Sequence, residues 1–448
     1  MDKSWAREEA YLILSKVISR GAYSNIEIRK KLNSSGLEKL DKALVTEIVN
    51  GTLRNMIYID WVLSKFSNIK EEKISANIKN ILRCGVYQIM FLDKIPDSAV
   101  CNESVELAKK YGNIGSSKFV NGLLRNIVRN KETIGYPDKG KLAEYLSVKY
   151  SHPAWLVEKW LKDFEDKFTE ELMKSNNDVP PLTIRINKLK TNKQEVIDDL
   201  EGHGIACSEG LYNEEAVSVR GTSSIESLEI FNKGFFSVQD ESSMLVSKVM
   251  NPESGSLIID VCSAPGGKAA HMAELMDNKG LIIARDIHQH KLDLINKACS
   301  RLGINIVKTQ LFDALSIDKA YIGVADGVLV DAPCSGLGLL RRKPDLRWKK
   351  KPDDLDSLSN IQYEILKSAS LYVKKGGALI YSTCTLNKNE NIEIVKKFLA
   401  ANDGFYLDNI ENLIPQNLYA PDAKEGYLEL FPHIHNTDGF FIARLIKR

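Results

Sequence analysis

The chain has 448 residues, more than one hydrophobic core usually holds, so two or three domains are expected. Hydrophobic residues make up 44% of the sequence and charged residues 27%, which excludes a disordered or fibrous protein. The formal net charge is only +2, so a polyanionic partner would have to bind local basic patches.

Targeting and cysteine patterns narrow the class further. The N-terminal run MDKSWAREEAYLILSKVI carries charges in its first turns and no cleavage site, so no secretory signal is expected. No apolar run approaches the roughly 18 residues that span a bilayer. These patterns predict a cytoplasmic protein with no membrane partner. The seven cysteines form neither CxxC pairs nor Cys/His clusters at metal spacing, so we expect free thiols and no bound metal.

Residues 1–138 are predicted to form an all-helical domain. Apolar residues recur at three and four positions, and Gly, Asn or Pro96 marks the segment ends. The predicted helical segments are AREEAYLILSKVI, LVTEIVNGTLRNMIYIDWVLSKF, KNILRCGVYQIMFL, SAVCNESVELAKKYG and SKFVNGLLRNIVRN. The turn-forming run TIGYPDKGK is expected to link this domain to the next one.

Residues 139–235 are predicted to form a small α+β module. Amphipathic helices are expected in KLAEYLSVKY, HPAWLVEKWLKDF and KFTEELMKSNN. A short strand, a helix beginning near Asn192 and two further strands are expected to follow. Pattern alone indicates no function for this module.

Residues 236–448 are predicted to form an α/β domain. Apolar strand-like runs alternate with helical segments, which favours a mainly parallel sheet covered on both faces. The last run is expected to add an antiparallel strand. The predicted strands lie in SLIIDVCSA, GLIIARDI, NIVKTQLFDA, GVLVDAPC, GALIYSTC and GFFIARLIK.

The stretch DVCSAPGGKAAHMAEL, residues 260–275, has the pattern of a strand end, a loop of small residues and a helix start. Ligands of open α/β sheets bind at the carboxyl ends of the strands. Gly266 and Gly267 allow close approach of a ligand, and the helix start attracts a carboxylate or phosphate. The loop lacks the GxGxxG pattern, so a dinucleotide is not expected.

Three acidic residues, Asp286, Asp313 and Asp331, end successive predicted strands. Asp286 follows the glycine loop by about twenty residues, the spacing at which an acidic side chain accepts hydrogen bonds from ribose hydroxyls. A pocket lined by these acids fits a ribose, an adenine amine and a positively charged group better than a polyphosphate.

Two cysteines also follow buried strands directly: Cys334 in DAPCSG and Cys384 in YSTC. A single cysteine at a strand end is about equally expected to be a small buried side chain or a functional thiol. A matching pair favours function, because the thiols converge on one cleft if the two strands are neighbours.

The motifs DVCSAPGGK, DAPCSGLGLLRRKPDLRW, YSTCT, QDESSML and FPHIHNTDGFFIARL together resemble the S-adenosylmethionine-dependent RNA cytosine-C5 methyltransferases of the RsmB/NSUN family. The helical region is similar to NusB. The resemblance implies an RNA-binding helical domain, a Rossmann-like methyltransferase domain and 16S rRNA as partner. It also implies methylation at C5 of one cytosine, cytosine 967 in the family's target, through a cysteine–C6 adduct. Ser263 and Thr385 depart from the family's usual Ala and Ser without removing a reacting group.

Candidate site residues follow from this chemistry and from the resemblance. Cytosine C5 is a weak nucleophile until a thiolate adds to C6, so an activated cysteine is required. Spacing does not show which cysteine attacks; the resemblance implies Cys384 as nucleophile and Cys334 in product release. Asp331 is expected to hydrogen-bond the N3 edge of the ring. Lys268, which closes the glycine loop, is a further candidate catalytic residue. The implied cofactor-binding residues are Cys262, Ser263, Ala264, Pro265, Gly266, Gly267, Lys268, Asp286, Asp313 and Asp331.

The basic run RRKPDLRWKKKPDD follows Cys334 and predicts RNA contact. Positive charge interleaved with an aromatic side chain suits phosphate binding and base stacking, although a charged run is more often a solvated loop. The candidate RNA-binding residues are Arg341, Arg342, Lys343, Arg347 and Trp348. Arg185 and Asn187 of the middle module are candidates to extend this surface. The target base must be unpaired or flipped out.

Alternative functions remain open on the sequence. The chain could be an rRNA-binding assembly factor with an inactive methyltransferase scaffold, although a scaffold does not need two thiols at strand ends. A second alternative is a methyltransferase acting on DNA, tRNA or protein, of which DNA is disfavoured only by the resemblance. An amine or carboxylate acceptor is disfavoured because it needs no covalent adduct, and a Rossmann dehydrogenase because the glycine pattern is wrong. A monomer is expected.

Overall fold

The computed structural model describes residues 5–221 and 225–448, except for the side chain of Trp5. The chain divides into two compact units: one is Met1–Asp178 with Arg342–Lys349, and the other is Val179–Arg341 with Lys350–Arg448. Residues 1–4 of the predicted helical domain lie outside the described part.

The first unit is helical from its first described residue. Its apolar stripes pack around buried residues such as Leu14, Val49 and Leu124. Local signals fix some helix ends: the Asn113 side chain caps α7 by accepting a hydrogen bond from the Ser116 N–H. The helices are α1 (Trp5–Arg20), α2 (Ser24–Ser34), α3 (Lys39–Arg54), α4 (Met56–Phe66), α5 (Ala76–Phe91), α6 (Asp97–Tyr111), α7 (Ile114–Asn130), α8 (Leu142–Tyr150), α9 (Ala154–Asp163) and α10 (Asp166–Ser175).

Helices α8 to α10 belong to this helical unit, whereas the sequence analysis groups them with the middle module. The Ser151 hydroxyl at the end of α8 accepts a hydrogen bond from the Tyr58 N–H in α4 at 3.0 Å. Amphipathic periodicity identifies these helices correctly but carries no information about which neighbour their apolar faces cover.

The second unit begins with a small antiparallel sheet in the order β2-β3-β1-β4. The predicted strand, helix and two strands are confirmed, and a fourth strand completes the sheet. Asn192 caps the helix, where the sequence predicts its start. The elements are β1 (Leu182–Ile186), α11 (Lys193–Gly202), β2 (Ala206–Glu209), β3 (Ala216–Arg220), α12 (Glu229–Asn232) and β4 (Phe236–Val238).

The remainder of the second unit is built on an eight-stranded sheet in the order β10-β12-β9-β8-β5-β6-β7, with β11 paired to β12. Its elements are α13 (Glu241–Met250), β5 (Leu257–Asp260), α14 (Gly267–Leu275), β6 (Leu281–Asp286), α15 (Gln289–Leu302), β7 (Val307–Leu311), β8 (Ala325–Asp331), α16 (Leu346–Lys349), α17 (Pro352–Ser370), β9 (Val373–Thr383), α18 (Ile392–Ala401), β10 (Phe405–Leu407), β11 (Tyr427–Leu430), α19 (Pro432–His435) and β12 (Phe440–Lys447). Of these, α16 lies in the segment Arg342–Lys349 that belongs to the helical unit.

The sheet has the predicted mixed character. Strands β5 to β9 pair in parallel, and the last strand pairs antiparallel with β9. Two apolar clusters pack on the sheet, one around Ile258 and Ile282 and the other around Val328 and Tyr381. The central parallel strands β5, β6 and β8 are largely buried and mostly apolar because both faces of the sheet are covered there, whereas the edge strand β7 is polar and partly exposed. Among the described residues, no helix combines the length and hydropathy needed to cross a membrane.

Candidate active site

The ends of four neighbouring strands meet at one edge of the large sheet. The order β8, β5, β6, β7 brings Asp331, Asp260 and Asp286, each the last residue of its strand, to this edge. Asp313 follows β7 and is exposed, and its carboxylate accepts a hydrogen bond from the Leu315 N–H at 3.0 Å. The edge therefore carries a row of carboxylates.

The loop between β5 and α14 turns on glycine. Gly266 is the N-cap of α14 and has φ of 95°, a left-handed conformation that favours glycine. Its N–H donates to the Ser263 carbonyl at 2.7 Å. Helix α14 begins at Gly267, so the free N–H groups of its first turn follow the strand edge directly. These groups suit a carboxylate, and the acidic row suits hydroxyls, amines and a cation.

Lys268 and Asp331 form an ion pair in this loop. Lys268 Nζ lies 2.7 Å from Asp331 Oδ2, and the Ser382 hydroxyl donates to Oδ1 at 2.9 Å. Only 12% of the Lys268 side chain and 27% of the Asp331 side chain are exposed. Burial acts to lower the pKa of Lys268, but the charge of Asp331 and its hydrogen bond outweigh burial and raise this pKa. The lysine is therefore held as an ammonium.

The two strand-end cysteines are in contact. Strands β8 and β9 are parallel neighbours with Asp331 opposite Ser382, so the sequence prediction that the thiols converge is confirmed. Cys334 Sγ and Cys384 Sγ lie 3.3 Å apart. The hydrogen bond with Cys384, followed by burial, raises the pKa of Cys334 well above its usual value.

The charges around the two sulfurs differ. Cys384 contributes to the raised pKa of Lys268, so the ammonium lies within electrostatic range of that sulfur. The carboxylate of Glu390 contributes instead to the raised pKa of Cys334. The two sulfurs therefore have different charged neighbours, an ammonium for Cys384 and a carboxylate for Cys334.

The pKa values of the other cysteines are also raised. Burial is the largest cause of a raised pKa at each of them, to about 12 for Cys84 and about 11 for Cys299. The remaining three are Cys101, Cys207 and Cys262. Cys262 therefore contributes to the loop by its position and not by its thiol.

Two of the predicted RNA contacts are engaged by the helical unit: Arg347 is buried in it, which corrects the expectation for this residue, and Trp348 is half-buried against it. Arg347 is 1% exposed and donates to the carbonyls of Arg54, Ser151 and Asn176 at 2.9, 3.1 and 2.7 Å. These carbonyls lie at the C-terminal ends of α3, α8 and α10, where helix carbonyls lack intrahelical partners. Trp348 packs on the apolar cluster of this unit and donates to a backbone carbonyl at 2.9 Å.

The remaining residues of the basic run are placed differently from one another. Arg341 is 2% exposed, donates to the Asn436 carbonyl at 3.0 Å and pairs with Asp438 at 3.4 Å, so its guanidinium group is also internal. Arg342 and Lys343 are half-buried. Of the five candidates, Arg342, Lys343 and Trp348 keep part of their side-chain surface exposed, and the first two carry a charge for a phosphate.

The candidates in the middle module are also internal. Arg185 is fully buried, pairs with Glu274 at 2.7 Å and donates to the Gly267 carbonyl at 3.0 Å. Asn187 is buried and donates to two backbone carbonyls at 2.9 Å. Arg185 therefore fixes the glycine loop and helix α14 from the small sheet, and the expectation of an RNA surface here is wrong.

Sequence reasoning missed two buried acids. Glu390 lies in the polar run NKNENIE, which has no signal that separates a buried glutamate from a solvated one, yet its side chain is fully buried. Asp260 opens the glycine-loop motif but is not among the predicted site residues. Burial, followed by the charge of Asp331, raises the pKa of Asp260 to about 7.

Comparison with protein families divides the chain into three matched regions. Residues 4–129 match the NusB family, and residues 152–226 match a ferredoxin-like domain of RsmF/B-like methyltransferases. Residues 247–446 match the family described as 16S rRNA methyltransferase RsmB/F. The first region lies in the helical unit and the third in the large sheet, while the second spans α9 and α10 of the helical unit and strands β1 to β3 of the small sheet.

Similar proteins extend over the full chain. The chain is 39% identical to a probable ribosomal RNA small subunit methyltransferase B of Bacillus subtilis and covers 100% of both sequences. A protein of the same name from Synechocystis is 36% identical over 99% of each chain. The crystal structure of PH0851 aligns with a TM-score of 0.83 at 29% identity over 99% of each chain. NSun6 from Pyrococcus horikoshii, solved with the S-adenosylmethionine analogue SFG, aligns with a TM-score of 0.59 at 25% identity, covering 66% of this chain and 98% of that one.

Proposed function

Because this chain belongs to the ribosomal RNA small subunit methyltransferase B family and uses S-adenosylmethionine, we propose that its acceptor is carbon 5 of a cytosine in 16S rRNA. By resemblance to the family, the base is the one numbered 967 in the family's target. The reaction proceeds through a covalent bond between a cysteine and C6 of the ring. The observation that carries this proposal is the contact between Cys334 and Cys384 beside the Lys268–Asp331 ion pair.

The cofactor binds at the carboxylate row in this proposal. Asp286 accepts hydrogen bonds from the ribose hydroxyls of the cofactor. Asp313 and Asp331 lie toward its adenine amine and its positively charged end. The segment 262–268 and the first turn of α14 bind the carboxylate. This set of acceptors and backbone donors fits the groups of S-adenosylmethionine and does not fit a polyphosphate. The bound cofactor supplies an electrophilic methyl group.

Cys384 is the nucleophile. Its sulfur adds to C6 of cytosine, which converts the ring into an enamine whose C5 accepts the methyl group. The ammonium of Lys268 favours the attacking thiolate electrostatically. Asp331, oriented by Lys268 and Ser382, accepts a hydrogen bond from the 4-amino group beside N3 and so holds the ring, while the Lys268 ammonium stabilises negative charge that develops on it.

Cys334 acts after methylation. The C5 proton must leave before the bond between Cys384 and C6 breaks and the methylated base is released. A base takes the C5 proton, and the Cys384 sulfur leaves C6 with the electron pair of the C–S bond; the Cys334 thiol, 3.3 Å away, is placed to donate a hydrogen bond to the departing thiolate. Its raised pKa keeps it a neutral thiol and prevents it from competing as nucleophile.

The base reaches this edge only when it is unpaired or flipped out, because C5 and C6 of a stacked cytosine are inaccessible to a side chain. Arg342 and Lys343 are the residues of the basic run that we retain as proposed phosphate contacts. The helical unit, by its similarity to NusB, is proposed to bind RNA as well.

Transfer of labelled methyl groups from S-adenosylmethionine to unmodified 16S rRNA, with mapping of the product base, tests the proposal. The expected product is a single 5-methylcytosine. Methylation of tRNA but not of 16S rRNA would show that tRNA is the substrate. Cofactor and rRNA binding without methyl transfer to any RNA would favour the assembly-factor hypothesis.

A further inference from the structure

The carboxylate of Glu390 is fully buried and accepts hydrogen bonds from four donors. The Ser335 N–H and hydroxyl donate at 2.8 and 2.5 Å, and the side-chain amides of Gln362 and Asn387 donate at 2.9 and 3.0 Å. Charged groups are rarely buried unless they are paired or fully hydrogen-bonded. This carboxylate belongs to the second case, and none of its four donors carries a formal charge.

The hydrogen bonds of Glu390 join the loops that carry the two cysteines. Ser335 directly follows Cys334, and Thr385 directly follows Cys384. The hydroxyl oxygens of Ser335 and Thr385 lie 2.6 Å apart. Because the carboxylate can only accept, the Ser335 hydroxyl donates to Glu390 and accepts from Thr385. A chain of hydrogen bonds therefore runs from the residue after one cysteine to the residue after the other.

A second link fixes the same two loops through the backbone. The Gly338 N–H donates to the Cys384 carbonyl at 3.0 Å, and the Gly439 N–H donates to the Gly338 carbonyl at 2.9 Å. The Gln362 amide that donates to Glu390 also donates to the Pro333 carbonyl at 2.9 Å, one residue before Cys334. Glu390 thus accepts from Ser335 in the Cys334 loop and from Asn387, which follows Cys384 by three residues, while the Gly338–Cys384 backbone bond links the two loops without it.

We propose that Glu390 is a positioning residue that fixes the contact between the Cys334 and Cys384 sulfurs. The proposal rests on the proposed function for its role in catalysis, since the two thiols must act in turn on one ring. Its geometric content, the fixed distance between two sulfurs, is independent of the reaction. A neutral glutamine at this position would direct an NH₂ group at donors and leave some of them unpaired.

Thiol proximity measures this geometry without the reaction. In the full-length protein, the oxidant diamide accepts the hydrogens of two thiols into its N=N bond, which leaves a disulfide and a hydrazine. We expect rapid formation of a Cys334–Cys384 disulfide in the parent, followed by mass spectrometry of the linked peptides. E390Q is expected to slow it about tenfold, because the amide keeps only one of the two acceptor oxygens and leaves donors of the cysteine loops unpaired.

E241Q is the matched control. Glu241 is 5% exposed and accepts hydrogen bonds from the backbone N–H groups of residues 211–213, but its bonds do not reach either cysteine loop. The control is expected to oxidise at the parental rate. Equal slowing in E390Q and E241Q would overturn the proposal, as would a parental rate in E390Q.

Steady-state kinetics distinguishes a positioning role of Glu390 from a general disordering of the active site. E390Q is expected to lower kcat for methyl transfer with an unchanged KM for S-adenosylmethionine, whereas a disordered site would change both. If E390Q does not fold, T385V and T385S carry the test: the isosteric valine removes the hydroxyl and slows oxidation, and serine restores it. A slowed disulfide in a protein that methylates no RNA would support Glu390 as positioning residue while refuting the proposed function.

Discussion

Replacement of Arg347 by methionine tests whether the basic run serves structure or RNA. The guanidinium group donates to three carbonyls at the ends of α3, α8 and α10, all within 3.1 Å. Methionine has a similar length but no donor, so these buried acceptors lose their partners. An unpaired buried carbonyl costs about 1–3 kcal/mol. The low end, about 1 kcal/mol for each carbonyl, applies here because removal of the guanidinium group also removes the cost of burying its charge. We expect R347M to destabilise the helical unit by about 3 kcal/mol.

Hydrogen exchange followed by mass spectrometry localises this effect. Peptides from the C-terminal turns of α3, α8 and α10 should exchange faster in R347M, since local opening becomes easier. K343A, which truncates a half-buried lysine of the same segment, should change stability by less than about 0.5 kcal/mol. Unchanged exchange in R347M together with a large loss of rRNA affinity would refute the structural role and restore Arg347 as an RNA contact.

Three further substitutions have defined outcomes. Asp260 has a pKa of about 7 in the folded protein against an ordinary 3.8, so its ionisation destabilises the fold increasingly as pH rises between these values. D260N should therefore raise the free energy of unfolding by up to about 4 kcal/mol at about pH 8 and by less at about pH 5, measured by urea titration. R185M should cost about 3–5 kcal/mol because Glu274 is left buried without its partner, and it should weaken S-adenosylmethionine binding in calorimetry because the Gly267 carbonyl loses its donor. R185M/E274M should recover stability and not affinity. C262S should retain methyl transfer, and a loss beyond about tenfold would give this thiol a chemical role.

The large sheet and the functional residues at the carboxyl ends of its strands can be predicted from the sequence, because parallel strands have a strong local signature. Continuous apolar runs such as LIID and VLVD are typical of strands buried on both faces, and ligand-binding residues follow the carboxyl ends of such strands. The convergence of Cys334 and Cys384 depended on one further fact, the pairing of β8 with β9, which the structure provides.

Other features could not be predicted because they depend on distant partners. A run containing Arg347 and Trp348 has the same composition whether it faces solvent or meets the ends of three helices. Glu390 lies in a polar stretch, and its burial depends on donors that precede it by 28 and 55 residues. The assignment of α8 to α10 to the helical unit likewise depends on which apolar faces they cover. Periodicity predicts an element but not its neighbour.

Trapping of a covalent protein–RNA adduct tests the central claim most directly. The parent, C334A and C384A are each incubated with unmodified 16S rRNA and S-adenosylmethionine and separated under denaturing conditions. The two-cysteine mechanism predicts an adduct that accumulates with C334A, because attack proceeds while release is impaired, and none with C384A. An adduct that persists with C384A, or 5-methylcytosine formed by C384A at the parental rate, would contradict the assignment of Cys384 as the nucleophile.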